Sequence, residues 1–313
     1  MNKINQGIIL FKMNRSLLSD YFLQNSSICS FWSSDSWVVF SPIELSIKQK
    51  IEAIGTPLKD WDINIYRGIL TGYNEAFIIS GEKRTELLAA CETEKERIRT
   101  DELIRPILRG RDIKRYNYEF ADLWLINTHN GIKEKGISRI DIDDYPTIKA
   151  HLDQYWDQIS TRADKGDTPY NLRNCAYMDD FNKQKIVWKR IGSILRFCYD
   201  DTGCMGLDST CFATGKHIKY LLAVLNSLIG HYLLKDSPQT GTGDLLISVQ
   251  ALEPIYIPEP SAELDNTISA LIDKILDNDG NTQIQSIESQ INQAILDVFQ
   301  LTEEEIAFIK LVL

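Results

Sequence analysis

The stretch KIVWKRIGSILRFCYD, residues 185–200, decides the fold class of this sequence. Its two ends, KIVWKRI and ILRFCYD, combine β-branched and aromatic residues around a turn signal, a pattern that predicts two short strands. Runs of the same composition predict further strands at INIYRGI (63–69), EAFIIS (75–80) and DLWLINT (122–128). Strands and helices do not alternate regularly in this region. The pattern therefore favours an α+β fold, a mixed short-strand domain with flanking helices, over a doubly wound sheet.

Helical periodicity predicts three helices around these strands. TELLAACETEKERIR (85–99) and YPTIKAHLDQYWDQISTRA (145–163) each predict a single helix, the second with one apolar stripe. KHIKYLLAVLNSLIGHYLLK (216–235) predicts a largely apolar helix. The segment QTGTGD (239–244) then predicts a mobile loop, and LLISVQALEPIYIPEP (245–260) predicts an extended, proline-bounded segment that closes the domain.

The end of the sequence is predicted to be a helical pair. Apolar stripes that start at Leu264 and at Ile284 predict two helices, and NDGN (278–281) predicts the turn that makes them antiparallel. Thr302 and Glu305 form a capping box, which predicts one last short helix.

The sequence divides into three predicted parts. Residues 1–60 form a connecting region, in which WVVF (37–40) predicts a strand and PIELSIKQKIEAIG (42–55) predicts a helix that Gly55 ends. Residues 61–258 form the mixed domain, and residues 259–313 form an acidic helical segment.

The composition excludes several classes of protein. With 313 residues, of which 43% are hydrophobic and 25% charged, the sequence matches folded globular proteins and not disordered chains. Its apolar runs are far shorter than the roughly 20 residues that cross a bilayer, so we expect no membrane partner, and no signal peptide is recognisable. The six cysteines form no CxxC pair, which indicates reduced thiols in a cytoplasmic protein.

The net charge of −10 is distributed unevenly. Residues 259–313 hold eleven acids and two bases, a net charge of −9. In contrast, residues 105–115 carry five bases against Asp112, and residues 162–196 carry eight bases against four acids, so each segment has a net charge of +4. The two basic segments, and not the tail, suit a polyanion such as nucleic acid.

Ten residues in three clusters are candidates for nucleic-acid contacts. Crowding five cations into RPILRGRDIKRY (105–116) is costly unless an anion neutralises them, and arginine forks suit phosphates and guanine edges. Ordinary solvated surface charge is the competing interpretation. The candidates are Arg105, Arg109, Arg111, Lys114 and Arg115 in the first cluster, Arg173, Lys189 and Arg190 in the second, and Tyr73 and Asn74 in a predicted tight turn.

The sequence contains no recognised catalytic motif. It lacks the GxxxxGK[ST] and GxGxxG phosphate loops, the GxSxG elbow, and the [DNS]PP[YFW] tetrapeptide of amino-methylating DNA methyltransferases. Asp112 and Lys114 fit half of a metal-dependent nuclease site, but no upstream acidic ligand accompanies them. We therefore predict no catalytic residue, metal or cofactor in this chain. A standalone nuclease and a structural interaction domain are the alternatives to a binding module.

The order of these motifs resembles a known family. RGILTGYNEAFII (67–79), RPILRGRDIKRY, YPTIKAHLDQYW (145–156), and DKGDTPYNLRNCAY (164–177) with KIVWKRI look like the target-recognition region of TaqI-like and type IIG restriction–modification methyltransferases. The similarity spans roughly residues 37–260, and its last part also resembles a recognition domain of type I specificity subunits.

The resemblance implies a module that reads a short double-stranded DNA sequence for an adenine-type DNA methyltransferase, which is often joined to an endonuclease. The methyltransferase half, with its S-adenosylmethionine site, is missing from this sequence. Residues 1–60 would connect to that half, which would be a partner domain or subunit. Among the candidates, we expect Arg173, Lys189 and Arg190 to contact bases, with Tyr73 and Asn74 in reserve.

Overall fold

The computed structural model of the protein describes residues 40–277 and 281–313. The predicted strand WVVF and the predicted turn NDGN lie outside these residues, apart from the last residue of each. The chain forms two compact units, residues 1–50 and 51–313. In the described part of the first unit, the Ser41 amide donates to Glu44 Oε2 (2.8 Å) and the Glu44 amide donates to Ser41 Oγ (3.3 Å). This reciprocal cap starts a helix over Pro42–Ile54, as predicted.

The α-helices of the described residues are α1 (Pro42–Ile54), α2 (Asn74–Phe77), α3 (Gly81–Ala89), α4 (Glu94–Leu103), α5 (Pro146–Asp153), α6 (Trp156–Thr161), α7 (Ile218–Asn226), α8 (Leu228–Leu234), α9 (Val249–Leu252), α10 (Ala262–Leu276), α11 (Asn281–Phe299) and α12 (Glu303–Val312). The strands are β1 (Thr56–Pro57), β2 (Ile63–Arg67), β3 (Ile78–Ser80), β4 (Ile104–Leu108), β5 (Leu123–Ile126), β6 (Lys185–Lys189), β7 (Ile191–Gly192), β8 (Phe197–Asp200), β9 (Met205–Gly206), β10 (Thr210–Gly215), β11 (Leu245–Leu246) and β12 (Tyr256–Ile257).

Two four-stranded sheets organise the second unit. The first has the order β2-β10-β6-β8 and is antiparallel throughout. The second has the order β3-β5-β4-β9, in which only the β4–β9 pair is parallel. Two short antiparallel pairs, β1–β12 and β7–β11, complete the pairing of the named strands. The mixture of short strands and helices confirms the predicted α+β class.

One apolar core joins both sheets to helices α5 and α6. Val187 and Phe212 come from the first sheet, Ile107 and Leu125 from the second, and Ile159 from α6. Burying a side chain of this size contributes about 1.5–3 kcal/mol relative to leaving it in water. The core therefore fixes the two sheets relative to each other and holds the loops at their ends.

The C-terminal helices cover the first sheet through α7. Helix α7 packs on β6, β8 and β10, and both α10 and α11 pack on α7. The predicted apolar stripes are the buried faces, since Ile268 and Ile272 of α10 and Ile291 and Ile295 of α11 are buried. The predicted capping box at Thr302 starts α12.

Two of the predicted helices were wrong because each is divided into two helices. In each case a side chain caps the start of a second helix within the predicted range. The helix predicted over 85–99 breaks between α3 and α4, where Thr93 Oγ1 accepts from the Glu96 amide (3.1 Å) and Glu96 accepts from the Glu92 amide (3.0 Å). The helix predicted over 216–235 breaks at Ser227, whose Oγ accepts from the Gly230 amide (3.2 Å). Both interruptions are N-caps in the middle of a helical pattern.

Two other predicted elements also differ from the structure. The helix predicted over 145–163 divides into α5 and α6, because the Gln154 and Tyr155 amides bond three residues back, to His151 (3.2 Å) and Leu152 (3.0 Å), and tighten the last turn of α5. The strand predicted over 75–80 is the helix α2 followed by the short strand β3.

The described residues also bear on two predictions, that the cysteines are reduced and that the chain has no membrane-spanning segment. The described cysteines, at positions 91, 175, 198, 204 and 211, are all free thiols. Within the part of the chain that the structure describes, no helix is both long and apolar enough to cross a membrane.

Candidate nucleic-acid interface

One end of the first sheet concentrates positive charge. The register places the last residues of β2 and β6 beside the first residues of β10, and β8 starts at the same end. Cations stand at or next to these strand ends, and we define them together as the basic end: Arg67, Lys189, Arg190 and Arg196.

A turn after β4 brings a fifth cation to the basic end. The Gly110 amide, at the start of the 3₁₀ turn Gly110–Asp112, donates to Ser209 Oγ (3.3 Å). A Cβ at position 110 would lie 2.7 Å from Lys189 Cγ, so the close approach requires glycine. This approach sets Arg111 beside Lys189. The two basic segments that are separate in the sequence therefore meet here.

Arg111, Lys189 and Arg196 line one groove of about 160 Å³, which we call the basic groove. The remaining lining residues are uncharged: Gly110, Ile113, Gly192, Ser193 and Ile194. None of the three cations forms a salt bridge with any residue that the structure describes. The three positive charges that line the groove repel one another. An anion bound between the three side chains would therefore stabilise the arrangement.

The other two cations of the basic end are more constrained. Arg67 Nη2 lies 3.5 Å from a carboxylate oxygen of Asp208. Arg190 is half-buried, its carbonyl accepts from the Ile247 amide (2.8 Å), and its Nε is buried without a partner among the described residues. Burial raises the pKa of the nearby Cys211 thiol to about 11 although both arginine charges oppose the rise. That thiol is therefore protonated at neutral pH.

Arg109 forms a salt bridge with Asp112. The Arg109 amide and Nε donate to Asp112 Oδ2 (2.8 and 3.0 Å), and Nη2 donates to Oδ1 (2.7 Å). Burial by itself would raise the pKa of Asp112, but these hydrogen bonds and the charges of Arg109 and Arg111 hold it below its usual range. The Arg109–Asp112 pair fixes the turn that presents Arg111.

The same contacts bear on the alternative of a metal-dependent nuclease. Both carboxylate oxygens of Asp112 already accept hydrogen bonds from Arg109. In residues 40–277 and 281–313, no group of three or more histidine, cysteine or acidic side chains is placed to hold a metal ion.

Two other cations of the first cluster contact the protein itself. Lys114 Nζ lies 3.1 Å from Glu119 Oε2. Arg115 donates to the Asn226 carbonyl (2.9 Å), and its Nε lies 3.2 Å from Glu288 Oε1 in helix α11. Arg115 thus joins the domain to the acidic C-terminal segment.

Arg105 and Arg173 lie apart from the basic groove. Arg105 is at the start of β4, whereas Arg111 follows its end, and Arg105 donates to Asn182 Oδ1 (2.6 Å) and the Gly203 carbonyl (3.2 Å). Arg173 is 60% exposed and lies 3.1 Å from Asp164. It lines a second cavity, of about 240 Å³, together with Arg67 of the basic end.

Tyr73 and Asn74 occupy a helix start and not a hairpin turn. Tyr73 is the N-cap residue of α2, is half-buried, and packs its ring 6.1 Å from that of Tyr155. Asn74 is exposed, and its Oδ1 accepts from Thr71 Oγ1 (2.5 Å). Neither residue lines the basic groove.

Sequence reasoning did not single out Arg67, Arg196 or the exposed Ile194. A signal for two of them was present, since Ile194 and Arg196 lie between the strands KIVWKRI and ILRFCYD, where a hairpin connection projects from a sheet. Arg67 could be placed only once its strand was known to pair with β10.

The opposite end of the sheet binds the acidic segment. His217, which follows β10, has its Nδ1 2.8 Å from Asp265 Oδ2, and Lys219 forms a salt bridge with Asp273. Two of the tail acids thus contact Lys219 of α7 and its cap residue His217, away from the basic end.

A comparison with protein families identifies the region that carries the groove. Residues 105–255 match the model of the TaqI-like C-terminal specificity domain. The three groove cations all lie in the matched region, whereas Arg67 precedes it. The resemblance predicted from the motif order is therefore confirmed.

Comparison with solved structures extends the likeness beyond the specificity domain. The type IIL restriction-modification enzyme MmeI, solved in complex with DNA, matches 81% of this chain with a TM-score of 0.59 and 10% identity. The type IIG restriction endonuclease BpuSI matches 83% of the chain with a TM-score of 0.44 and 12% identity. This chain spans 35% of MmeI and 33% of BpuSI, about a third of each. No curated protein sequence matches the chain.

Proposed function

We propose that this chain is the sequence-specific double-stranded DNA recognition module of a restriction–modification enzyme. The specificity domain supports this proposal, as does the shared fold with MmeI, a restriction-modification enzyme solved in complex with DNA. The chain binds DNA and does not catalyse a reaction. A methyltransferase domain or subunit of the parent enzyme uses S-adenosylmethionine to methylate adenine in the cytoplasm, and an endonuclease is often joined to it.

The basic groove is the observation that carries this proposal. It gathers three cations from segments that are far apart in the sequence; among the described residues, none of the three has a salt-bridge partner and no acid lines the groove. With Arg67 and Arg190 the region holds five cations against Asp208, a net charge of +4. Phosphates neutralise such a cluster, and phosphate contacts fix the orientation of a protein on a duplex.

The surroundings of the other candidates suggest how the roles divide. Arg111, Lys189 and Arg196 dock the phosphate backbone, and Arg67 and Arg173 extend the positive surface beside them. Arg109, Arg115, Lys114 and Arg105 already have protein partners. The base contacts expected of Arg173 and Arg190 stay a prediction, and for Lys189 we propose a phosphate contact in place of the expected base contact.

Duplex binding by the whole chain tests the proposal. Fluorescence anisotropy with labelled duplexes should show that Lys189→Ala weakens binding by the same factor for every sequence, because a phosphate contact carries no sequence information. Lys95→Ala is the control, since Lys95 is an exposed lysine on α4 that forms no salt bridge with a described residue. A folded chain that binds no duplex at low salt, or equal losses for both variants, would contradict the proposal.

A further inference from the structure

Two chain segments project together from the basic end. The connection between β6 and β8, residues 190–196, contains β7, which pairs antiparallel with β11. Strand β11 belongs to a hairpin over residues 238–246, in which Gln239 pairs with Leu245 and the Leu246 amide donates to the Pro238 carbonyl (2.7 Å). We call the two segments together the ribbon.

The hairpin arm of the ribbon ends in a tight turn that stands clear of other atoms. The Thr240 amide donates to the Asp244 carbonyl (2.8 Å), and the Gly243 amide donates to the Thr240 carbonyl (2.9 Å). A Cβ built at Gly241 or Gly243 would meet no described atom within 4 Å. The turn is therefore defined by its own hydrogen bonds and not by packing against the domain.

The antiparallel register brings the ends of the two arms together. Gly192 lies opposite Leu245, so the residues after Gly192 and the residues before Leu245 project in the same direction. The first arm presents Ser193 and Ile194, and the side chain of Ile194 is 62% exposed. The tip of the ribbon thus offers the exposed Ile194 on one arm and the hydroxyls of Thr240 and Thr242, which are 2.8 Å apart, on the other.

Charge divides the ribbon into a base and a tip. The base lies at the basic groove, with Arg111, Lys189 and Arg196. The tip residues, 193–194 and 240–243, carry no charge of their own. Ser193 and Ile194 extend from the edge of the basic groove, and Thr242 Oγ1 donates to Asp244 Oδ2 (3.3 Å). Cations suit phosphates, whereas uncharged polar and apolar groups suit base edges and the thymine methyl group. The major groove, about 12 Å wide, admits a two-stranded ribbon such as the hairpin over residues 238–246.

We infer that the tip of the ribbon enters the major groove and reads base edges, with Ile194 against a thymine methyl group and the Thr242 hydroxyl on a neighbouring base edge. This inference rests on the proposed function, because the cations at the base of the ribbon must first dock the phosphates. It assigns sequence reading to side chains without charge. The cations of the groove then set affinity for every duplex alike.

Selection from a random duplex library, with the whole chain, tests this inference. The wild type should select a site with thymine at one position, and Ile194→Ala should lose about fourfold of that preference, the effect of removing about one buried methyl contact. Because Ile194 also lines the basic groove, this preference is measured as the ratio of binding to selected and to unselected DNA. Ile98→Ala is the matched control, since Ile98 is 48% exposed on α4 and lies outside the ribbon. Thr242→Val should lose preference at an adjacent position.

Replacing the selected thymine by uracil removes only the methyl group. It should weaken binding of the wild type and the Ile98→Ala variant by the same factor, and it should leave Ile194→Ala unaffected. A selected site without a thymine preference overturns the inference. The same thymine preference in Ile194→Ala and in the wild type also overturns it. In either case the groove variants would still lower affinity, so the proposed function would stand. Absence of any duplex binding by the folded wild type overturns the proposed function itself.

Discussion

At the residue scale, Arg109 and Arg111 lie on either side of Gly110 but have different surroundings. Arg109 holds Asp112, and Arg111 faces the basic groove. We expect Arg109→Ala to lower the free energy of unfolding by about 1–3 kcal/mol, because Asp112 loses its charged donor. We expect Arg111→Ala to keep the stability within about 0.5 kcal/mol. Urea unfolding measures both changes, and equal destabilisation of the two variants would contradict the assignment.

The Asp112 carboxylate gives the stability a pH dependence with a definite sign. Its pKa in the folded protein is lower than its usual value of 3.8. Its contribution is therefore complete above about pH 4 and is lost as the pH falls through the folded pKa. We expect Asp112→Asn to destabilise the protein at pH 7 by about 1–3 kcal/mol, and the difference from wild type to shrink as the pH falls below 4.

Asp208→Asn is the control for that measurement, because the Asp208 side chain is 45% exposed and lies 3.5 Å from Arg67. An exposed pair contributes about 0–1 kcal/mol, so this variant should unfold nearly as the wild type does. If Asp112 were a nuclease ligand instead, Asp112→Asn would leave the stability unchanged and abolish a magnesium-dependent cleavage of DNA.

The sequence predicts how many cations a segment has but not which of them reach the surface. Lys185 and Arg162 count toward the basic segment 162–196, yet both are buried. Lys185 forms a salt bridge with the buried Asp200, and burial lowers the pKa of Arg162 to about 10. Pairing with residues distant in sequence, such as Arg115 with Glu288, depends on tertiary packing that no local pattern contains.

At the scale of elements, the junction between α7 and α8 depends on one buried serine. Ser227 Oγ accepts from the Gly230 amide and donates to the Val224 carbonyl (2.6 Å), so it ends one helix and starts the next. We expect Ser227→Ala to lower the free energy of unfolding by about 1–2 kcal/mol. Ser289→Ala, at an exposed position inside α11, is the control and should change it little. Equal destabilisation of Ser227→Ala and Ser289→Ala in urea unfolding would contradict the role of Ser227 as a cap.

Local patterns predicted most elements but not their interruptions or their pairing. The strands at 63–67, 123–126, 185–189 and 197–200 form as the composition predicts. The break before α4 had a local signal, because Thr93 and Glu96 have the spacing of a capping box. The sheet order β2-β10-β6-β8 had none, because it joins strands that are far apart along the chain. The basic end follows from that order and so was not predicted.

At the scale of the whole molecule, the acidic segment is part of the packed structure. Ile268, Ile272 and Ile291 are buried between α7, α10 and α11. We expect deletion of residues 262–313 to reduce solubility and stability, because it exposes these apolar faces to water. DNA contacts should survive in any folded truncation, since a segment with a charge of −9 repels phosphates. Loss of sequence preference by a well-folded truncation would contradict this expectation.

The salt dependence of DNA binding by the whole chain tests the basic groove most directly. Each phosphate contact contributes about 0.9 to the slope of log K against log salt concentration, so replacing Arg111, Lys189 and Arg196 together by alanine should reduce the slope by about 2.7. The control replaces Lys59, Lys95 and Lys133, exposed lysines that form no salt bridge with described residues. We predict the full reduction for the groove variant and none for the control. The same slope in the groove variant and the wild type, with both folded, would contradict DNA docking at the groove.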